Sequence, residues 1–311
     1  MHNLETIGQP PWDRDSIVAA IPEFEDLYNS RPIRDNNGGM KAPHMFATWF
    51  MARHFCPEVI IESGIWKGQS TWLLEKACPD ARLISIDLNL AKREYISRHA
   101  EYYDIDFSEI DWSKTPVTGS LVFFDDHQNA FLRLQQCRWF GFRDIIFEDN
   151  YPSLQGDCYS LKKAFEGAGF EPMNSDRGNR GSEAIRRRVG RLLGITPITL
   201  TPQYARRCIA PNTHDAAILR NHLDVYYEFP PVYKPDTTRW GDSWTMENYP
   251  TPAPLIGSAE PHRHPVFWDE AVYYTWICYV RLNEQFQHQG LLSQKSAEAH
   301  ERSIQPGLAP A

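Results

Sequence analysis

The chain contains no Cys-x-x-Cys pair. Its six cysteines (Cys56, Cys78, Cys137, Cys158, Cys208 and Cys278) are scattered, mostly in apolar or helical contexts. That spacing speaks against a structural zinc site and reads as reduced core cysteine, so a cytoplasmic setting is expected. No apolar run approaches the ~18 residues of a membrane span, and no basic-then-apolar leader stands at the N-terminus. Positive charge is also short: 32 Lys and Arg against 40 Asp and Glu give a net charge of −8. Such a balance argues against broad affinity for nucleic acid or an anionic membrane. No internal repeat is present. What the sequence does have is apolar material, with 42% hydrophobic and 13% aromatic residues in 311. That is ample for a packed core.

The apolar residues fall into an alternation. Helical spacing runs over Ser16–Tyr28 and Met45–Phe55, separated by Asn36-Asn37-Gly38-Gly39. A strand at Val59–Ile61 leads through a glycine turn into a helix over Ser70–Ala77, and Leu83–Asp87 is the next strand. A polar helix is expected over Leu90–Glu101. Strands at Leu121–Phe124 and Ile145–Phe147 flank a helix over Phe131–Phe140, and another helix begins at Ser160. Each strand ends in polar residues. This pattern predicts an α/β fold, doubly wound on a mostly parallel sheet, with ligands at the carboxyl ends of the strands. The expected division is an N-terminal helical cap and loop (1–56), a binding core (57–175) and a C-terminal elaboration (176–311).

The elaboration is less regular. Residues 177–207 hold eight arginines and one acid, Glu183. A helix over Asp215–Leu223 precedes a strand at Val225–Phe229, a Pro- and Trp-rich stretch follows, and Val272–Leu282 reads as one long strand. The tail after Gln287 is expected to fray.

The most informative segment is Val59-Ile-Ile-Glu-Ser-Gly-Ile-Trp-Lys-Gly-Gln-Ser70. A dinucleotide fingerprint needs glycine two residues after the first, to pass a pyrophosphate; here that place is Trp66. A carboxylate, Glu62, stands two residues before Gly64 and suits a cationic or hydroxyl-bearing ligand. Asp87 ends the second strand, where such sheets offer a carboxylate to ribose hydroxyls. Asp125-Asp126 and Glu148-Asp149-Asn150 end two strands expected to be neighbours. Carboxylates clustered this way repel unless a cation lies between them, and oxygen ligands suit Mg²⁺, Mn²⁺ or Ca²⁺ rather than zinc.

The Glu62-x-Gly64-x-x-x-Gly68-x-Ser70 pattern resembles the first motif of class I S-adenosylmethionine-dependent methyltransferases. Asp126-His127 and Asp149-Asn150 after successive strands resemble the metal site of catechol-type O-methyltransferases. The layout is also similar to that of metal-dependent enzymes that methylate antibiotic and sugar hydroxyls. Asn37-Gly38-Gly39 resembles the loop that covers the cofactor in the catechol type. The resemblance spans roughly residues 36–165. In that fold the last strand inserts antiparallel, a part Tyr274–Leu282 would play.

The resemblance implies S-adenosylmethionine as cofactor, a small-molecule hydroxyl as acceptor, and Mg²⁺. Gly39, Glu62, Gly64, Trp66, Gly68, Ser70 and Asp87 would form the cofactor site. Asp126, Asp149 and Asn150 would hold the metal, with Asp125 or Glu148 as the alternative ligand at either strand end. His127 is the candidate general base, since its unperturbed pKa lies near neutrality. The catechol type places a lysine base where this chain has Asn129. Two other readings differ in class: a cofactor-binding scaffold without catalysis, and a phosphate- or nucleic-acid-directed enzyme using Arg186, Arg187, Arg188 and Arg191. No Asp/Asn-Pro-Pro-Tyr-like motif supports nucleic acid as acceptor. His262-x-His264 has no carboxylate beside it in sequence. Trp240, Trp244 and Trp268 are candidates to cover an acceptor pocket. Oligomeric state leaves no signal.

Overall fold

The strands that read as unbroken apolar runs lie at the centre of the sheet. In the computed structural model, which describes residues 4–153, 155–168 and 212–284, seven strands form one sheet. They are β1 (Val59–Ser63), β2 (Arg82–Ile86), β3 (Ala100–Tyr103), β4 (Ser120–Phe124), β5 (Asp144–Phe147), β6 (Leu223–Glu228) and β7 (Cys278–Leu282). The spatial order is β3-β2-β1-β4-β5-β7-β6. β1 to β5 run parallel, and β7 inserts antiparallel between β5 and β6. This is the mostly parallel α/β sheet expected, with its order reversing between β1 and β4.

Alternate residues of each central strand feed two separate cores. Ile60, Leu83, Leu121, Phe123 and Ile146 face the layer formed by α1 (Arg14–Asn29), α2 (Ala42–Phe55) and α3 (Gln69–Ala77). Val59, Ile61, Ile84, Val122, Phe124 and Ile145 face the opposite layer, with α4 (Ala130–Phe140), α5 (Leu161–Phe165) and the helix Thr213–His222. Period-2 alternation therefore serves both faces, which is why these strands are apolar throughout. Each fully buried aliphatic side chain contributes roughly 1.5–3 kcal/mol.

Local signals set the helix boundaries. Asp13 caps α1 by accepting from Ser16 N at 2.7 Å, and Asn129 caps α4 by accepting from Leu132 N at 2.9 Å. The position where the catechol type has a lysine is thus a helix cap here. Gly141, at φ 94°, ends α4 in the left-handed conformation favoured at helix C-termini.

Two expected elements are corrected. Leu90–Glu101 is not a helix: it holds a 3-10 turn at Leu90–Lys92, irregular chain, and then the start of edge strand β3. The amides of Glu94 and Tyr95 donate to Lys67 O at 2.8 and 2.9 Å, which ties this segment across the glycine turn instead of to itself. The long strand over Val272–Leu282 is cut to Cys278–Leu282, after a 3-10 turn at Ala271–Tyr273. Trp276 sits at φ 62°, outside extended backbone, and interrupts any earlier pairing. Its ring instead joins Trp240, Trp244, Tyr249 and Tyr274 in an aromatic cluster. The arginine-rich segment 177–207, Cys208 and the tail after Gln287 lie outside the described residues. Among the described residues no helix is long and apolar enough to cross a membrane.

Candidate functional site

In the sheet register Ser63 stands beside both Ile86 and Phe124, and Phe124 beside Phe147. The next residues of the four strands, Gly64, Asp87, Asp125 and Glu148, therefore emerge along one edge. They open into a cleft of ≈ 420 Å³ at the point where strand order reverses. An open α/β sheet places its ligands there.

The glycine turn is built mainly by packing. At Gly64 (φ 98°) a Cβ would lie 2.1 Å from Asp125 O, and at Gly68 (φ 93°) 2.3 Å from Tyr95 O. Both glycines allow close approach of protein backbone, and Gly64 couples this turn directly to the acid at the end of β4. Asp87 Oδ2 accepts from Ile65 N and Trp66 N at 3.0 and 2.8 Å, and its Oδ1 accepts from Asn89 N at 2.8 Å. The carboxylate holds the turn in shape, including Trp66 at φ 44°.

Of the cofactor residues read from the sequence, Gly39, Gly64, Trp66 and Asp87 line the cleft, whereas the buried Glu62, Gly68 and Ser70 do not. Glu62 is fully buried, and its Oε2 accepts from Thr71 Oγ1 at 2.7 Å and Ser85 Oγ at 2.6 Å. Burial raises its pKa against those hydrogen bonds.

The acids after β4 and β5 divide into two kinds. Asp126 is committed: Ser63 Oγ donates to it at 2.8 Å and Arg133 Nε at 2.9 Å. Arg133, buried on α4, also donates to Asp106. Asn150 is committed as well, giving Nδ2 to Tyr226 Oη and taking Lys162 N, both at 2.9 Å. It lies outside the cleft lining.

By contrast Asp125, His127 and Asp149 each bring one donor atom within 4.8 Å of the others. Asp149 Oδ2 is buried and makes no well-formed hydrogen bond, its one close charged neighbour among the described residues being His127 Nδ1. Burial first, then the charges of Glu148 and Asp149, raises Asp125 well above the usual carboxylate range; burial and Glu148 do the same to Asp149. His127, at φ 53°, has Nδ1 3.1 Å from both Asp149 Oδ2 and Asp157 Oδ1. The hydrogen bond to Asp157, with the charges of Asp149 and Asp125, pushes its pKa up to about 11.

Glu148 is held by a partner the sequence did not single out. His44 Nδ1 lies 2.5 Å from its Oε1, and Thr275 N donates to His44 Nε2 at 2.8 Å. A backbone amide can only donate, so Nε2 is the acceptor and Nδ1 carries the proton. Burial opposes ionisation of Glu148, but this hydrogen bond keeps the carboxyl below its usual range. Partners 104 and 231 residues from His44 leave no local pattern that could have revealed them.

Two carboxylates and an imidazole in one reach form a donor set that fits a divalent cation. The orphaned Asp149 oxygen and the elevated carboxyls are what such a site looks like before its charge is balanced. Arg133, only seven residues beyond Asp126 and within α4, was the one missed partner a sequence pattern could have offered.

No family model matches the chain, and no curated protein matches it. Among solved structures it is similar to CmcI with SAH, at 17% identity over 48% of this chain and 82% of that one, with a TM-score of 0.32. CmcI with Mg and SAM gives 20% identity over 48% and 70%, with a TM-score of 0.29. The O-methyltransferase TomG from Streptomyces achromogenes, involved in tomaymycin synthesis and solved with SAM, gives 16% identity over 60% and 80%, with a TM-score of 0.33. At these scores the likenesses carry no weight of their own, and function is read from the strand order and the cleft.

Proposed function

We propose that this chain is an S-adenosylmethionine-dependent methyltransferase acting on a hydroxyl of a small molecule with the help of a divalent cation, Mg²⁺ first among the candidates. The observation that carries this reading is the convergence of Asp125, His127 and Asp149 at the ends of adjacent strands, in the same cleft as the Gly64 turn. Gly39, Gly64, Trp66 and Asp87 would contact the cofactor directly. Glu62, Gly68 and Ser70 would shape the turn. Asp125 and Asp149, with His127, would hold the cation, and Glu148 would add a fixed negative charge beside them. The expected three-part division (1–56, 57–175, 176–311) belongs to the same reading. So does a cytoplasmic setting, in keeping with the five free cysteines among the described residues, four of them buried.

Methyl transfer from a sulfonium is an in-line displacement that needs a nucleophilic oxygen held against the methyl carbon. A bound cation supplies acidification of the acceptor hydroxyl and fixes its position. As a ligand of the cation through one ring nitrogen and a partner of Asp157 through the other, His127 would have no nitrogen left for the hydroxyl proton, so the general-base role is the alternative to its metal role. Glu148, held below the usual carboxylate range, keeps the floor anionic, and Met40, Trp66 and Tyr151 wall the cleft with apolar surface.

Isothermal titration of S-adenosylmethionine and S-adenosylhomocysteine, with Mg²⁺ and then with a chelator, tests the assignment. Micromolar binding supports it and justifies a screen of hydroxyl acceptors. Absence of binding under both conditions removes the methyltransferase reading and leaves the fold.

A further inference from the structure

The cleft carries basic charge that the methyl-transfer reading does not use. Lys41 and Arg239 both line it. Neither makes an ion pair among the described residues, and each rests near an aromatic face instead. Lys41 Nζ is 5.7 Å from the Tyr273 ring centroid, and Arg239 Cζ is 5.9 Å from that of Trp240. Of the acids lining the cleft, Asp87 is held by three backbone amides, Asp106 and Asp126 by Arg133 and Glu148 by His44, which leaves Asp125 and Asp149 in the cluster with His127.

The loop that carries the exposed Arg239 is held by its backbone. Its loop is closed by a bridge between Thr237 and Ser243, and by Thr238 N to Asp242 O and Trp244 N to Asp236 O at 2.9 and 2.8 Å. Asp242 in turn accepts from Gln155 Nε2 at 2.8 Å and Tyr249 Oη at 2.9 Å. The neighbouring Trp240 ring stacks on Trp276 at 6.4 Å and meets Tyr151 edge-on at 6.1 Å. Tyr151 lies two residues beyond Asp149 and lines the same cleft. The exposed Arg239 is thus carried next to Trp240, whose ring meets Tyr151 on the β5 side of the cleft.

We infer that the acceptor is a small hydroxylated acid whose carboxylate is held by Arg239, with Lys41 adding positive charge. This inference rests on the methyl-transfer reading for the fate of the hydroxyl, but not for the binding of the anion. A planar guanidinium with five donors fits a carboxylate bidentately. Anchoring the anion at the rim and the hydroxyl at the acidic floor orients the molecule end to end. The cofactor's own carboxylate is the other source of the same chemistry.

The test compares 3,4-dihydroxybenzoate with its methyl ester by equilibrium titration into wild type, Arg239→Gln and Lys41→Gln, with Mg²⁺ and S-adenosylhomocysteine present. S-adenosylmethionine is titrated separately. Wild type should bind the acid roughly 10–100-fold more tightly than the ester, the range of a charge-assisted pair. Arg239→Gln should bring the two within about threefold, and Lys41→Gln should narrow the gap less. Equal binding of acid and ester by wild type, or no binding of the acid, overturns the inference. So does an Arg239→Gln variant that loses S-adenosylmethionine while keeping its preference for the acid. Charge-selective binding without methylated product would sustain the anion site and fault the methyl-transfer reading instead.

Discussion

Replacing Asp125 by Asn should stabilise the cation-free protein and abolish its response to Mg²⁺. The carboxylate atoms of Asp125 and Asp149 lie within 4.8 Å. Two full charges at that spacing repel by about 3.5 kcal/mol at an effective dielectric of about 20. His127 offsets part of this, and proton uptake limits the rest, so a net penalty of about 1–2 kcal/mol at neutral pH is the working figure. Its sign with pH follows from the raised carboxyls. Between the unfolded value near 4 and the higher folded values, the native state binds more protons than the unfolded chain, so stability falls as pH rises. The amide removes the charge at nearly constant volume. Urea denaturation followed by tryptophan fluorescence, at pH 5 and pH 8, in chelator and in Mg²⁺, measures all of this. In chelator the variant should exceed wild type by about 1–2 kcal/mol at pH 8, and the difference should shrink at pH 5. Saturating Mg²⁺ should raise wild type by about 2.7 kcal/mol at a hundred times Kd and leave the variant unmoved. A variant less stable than wild type in chelator at pH 8, or one that responds equally to Mg²⁺, would refute the reasoning.

Three further outcomes are expected. Asp149→Ala should abolish turnover while leaving S-adenosylmethionine affinity within a few-fold in calorimetry; retained turnover at saturating cofactor in chelator would end the metal role. Gly64→Ala places a Cβ 2.1 Å from Asp125 O at φ 98°, so it should cost at least about 2 kcal/mol in denaturant titration and weaken Mg²⁺ binding through the displaced Asp125. A variant with wild-type stability and cation affinity would show that the turn is not coupled to the acid. Arg133→Leu leaves Asp106 and Asp126 without their shared cation, a loss of about 3–5 kcal/mol at pH 7. Because the hydrogen bond from Arg133 holds Asp106 below its usual range, its share of that loss is present above about pH 4 and disappears as pH falls, which an acid titration of both proteins checks.

The central sheet was legible because its strands are buried on both faces and so read as unbroken apolar runs: Val59–Ile61, Leu121–Phe124, Ile145–Phe147. β3 escaped because Ala100-Glu-Tyr-Tyr103 is an edge strand with one partner and no fully buried residue. The seam of β7 was misjudged at Trp276, whose left-handed backbone depends on the aromatic cluster around its ring. The candidate site shows the same division. That acids would gather after β4 and β5 could be read from local sequence, since parallel strands deliver their ends to one edge. Which acid of each group stays uncommitted in the cleft was decided elsewhere. Arg133 draws Asp126 aside and leaves Asp125 beside His127 and Asp149. Tyr226 and Lys162 draw Asn150 into the C-terminal packing, and His44 with Thr275 fixes Glu148. Each choice is a contest between two adjacent polar side chains for one partner, and the partner comes from another layer of the fold. A motif read along the chain can name the contestants, but the partner that settles the contest is contributed by packing.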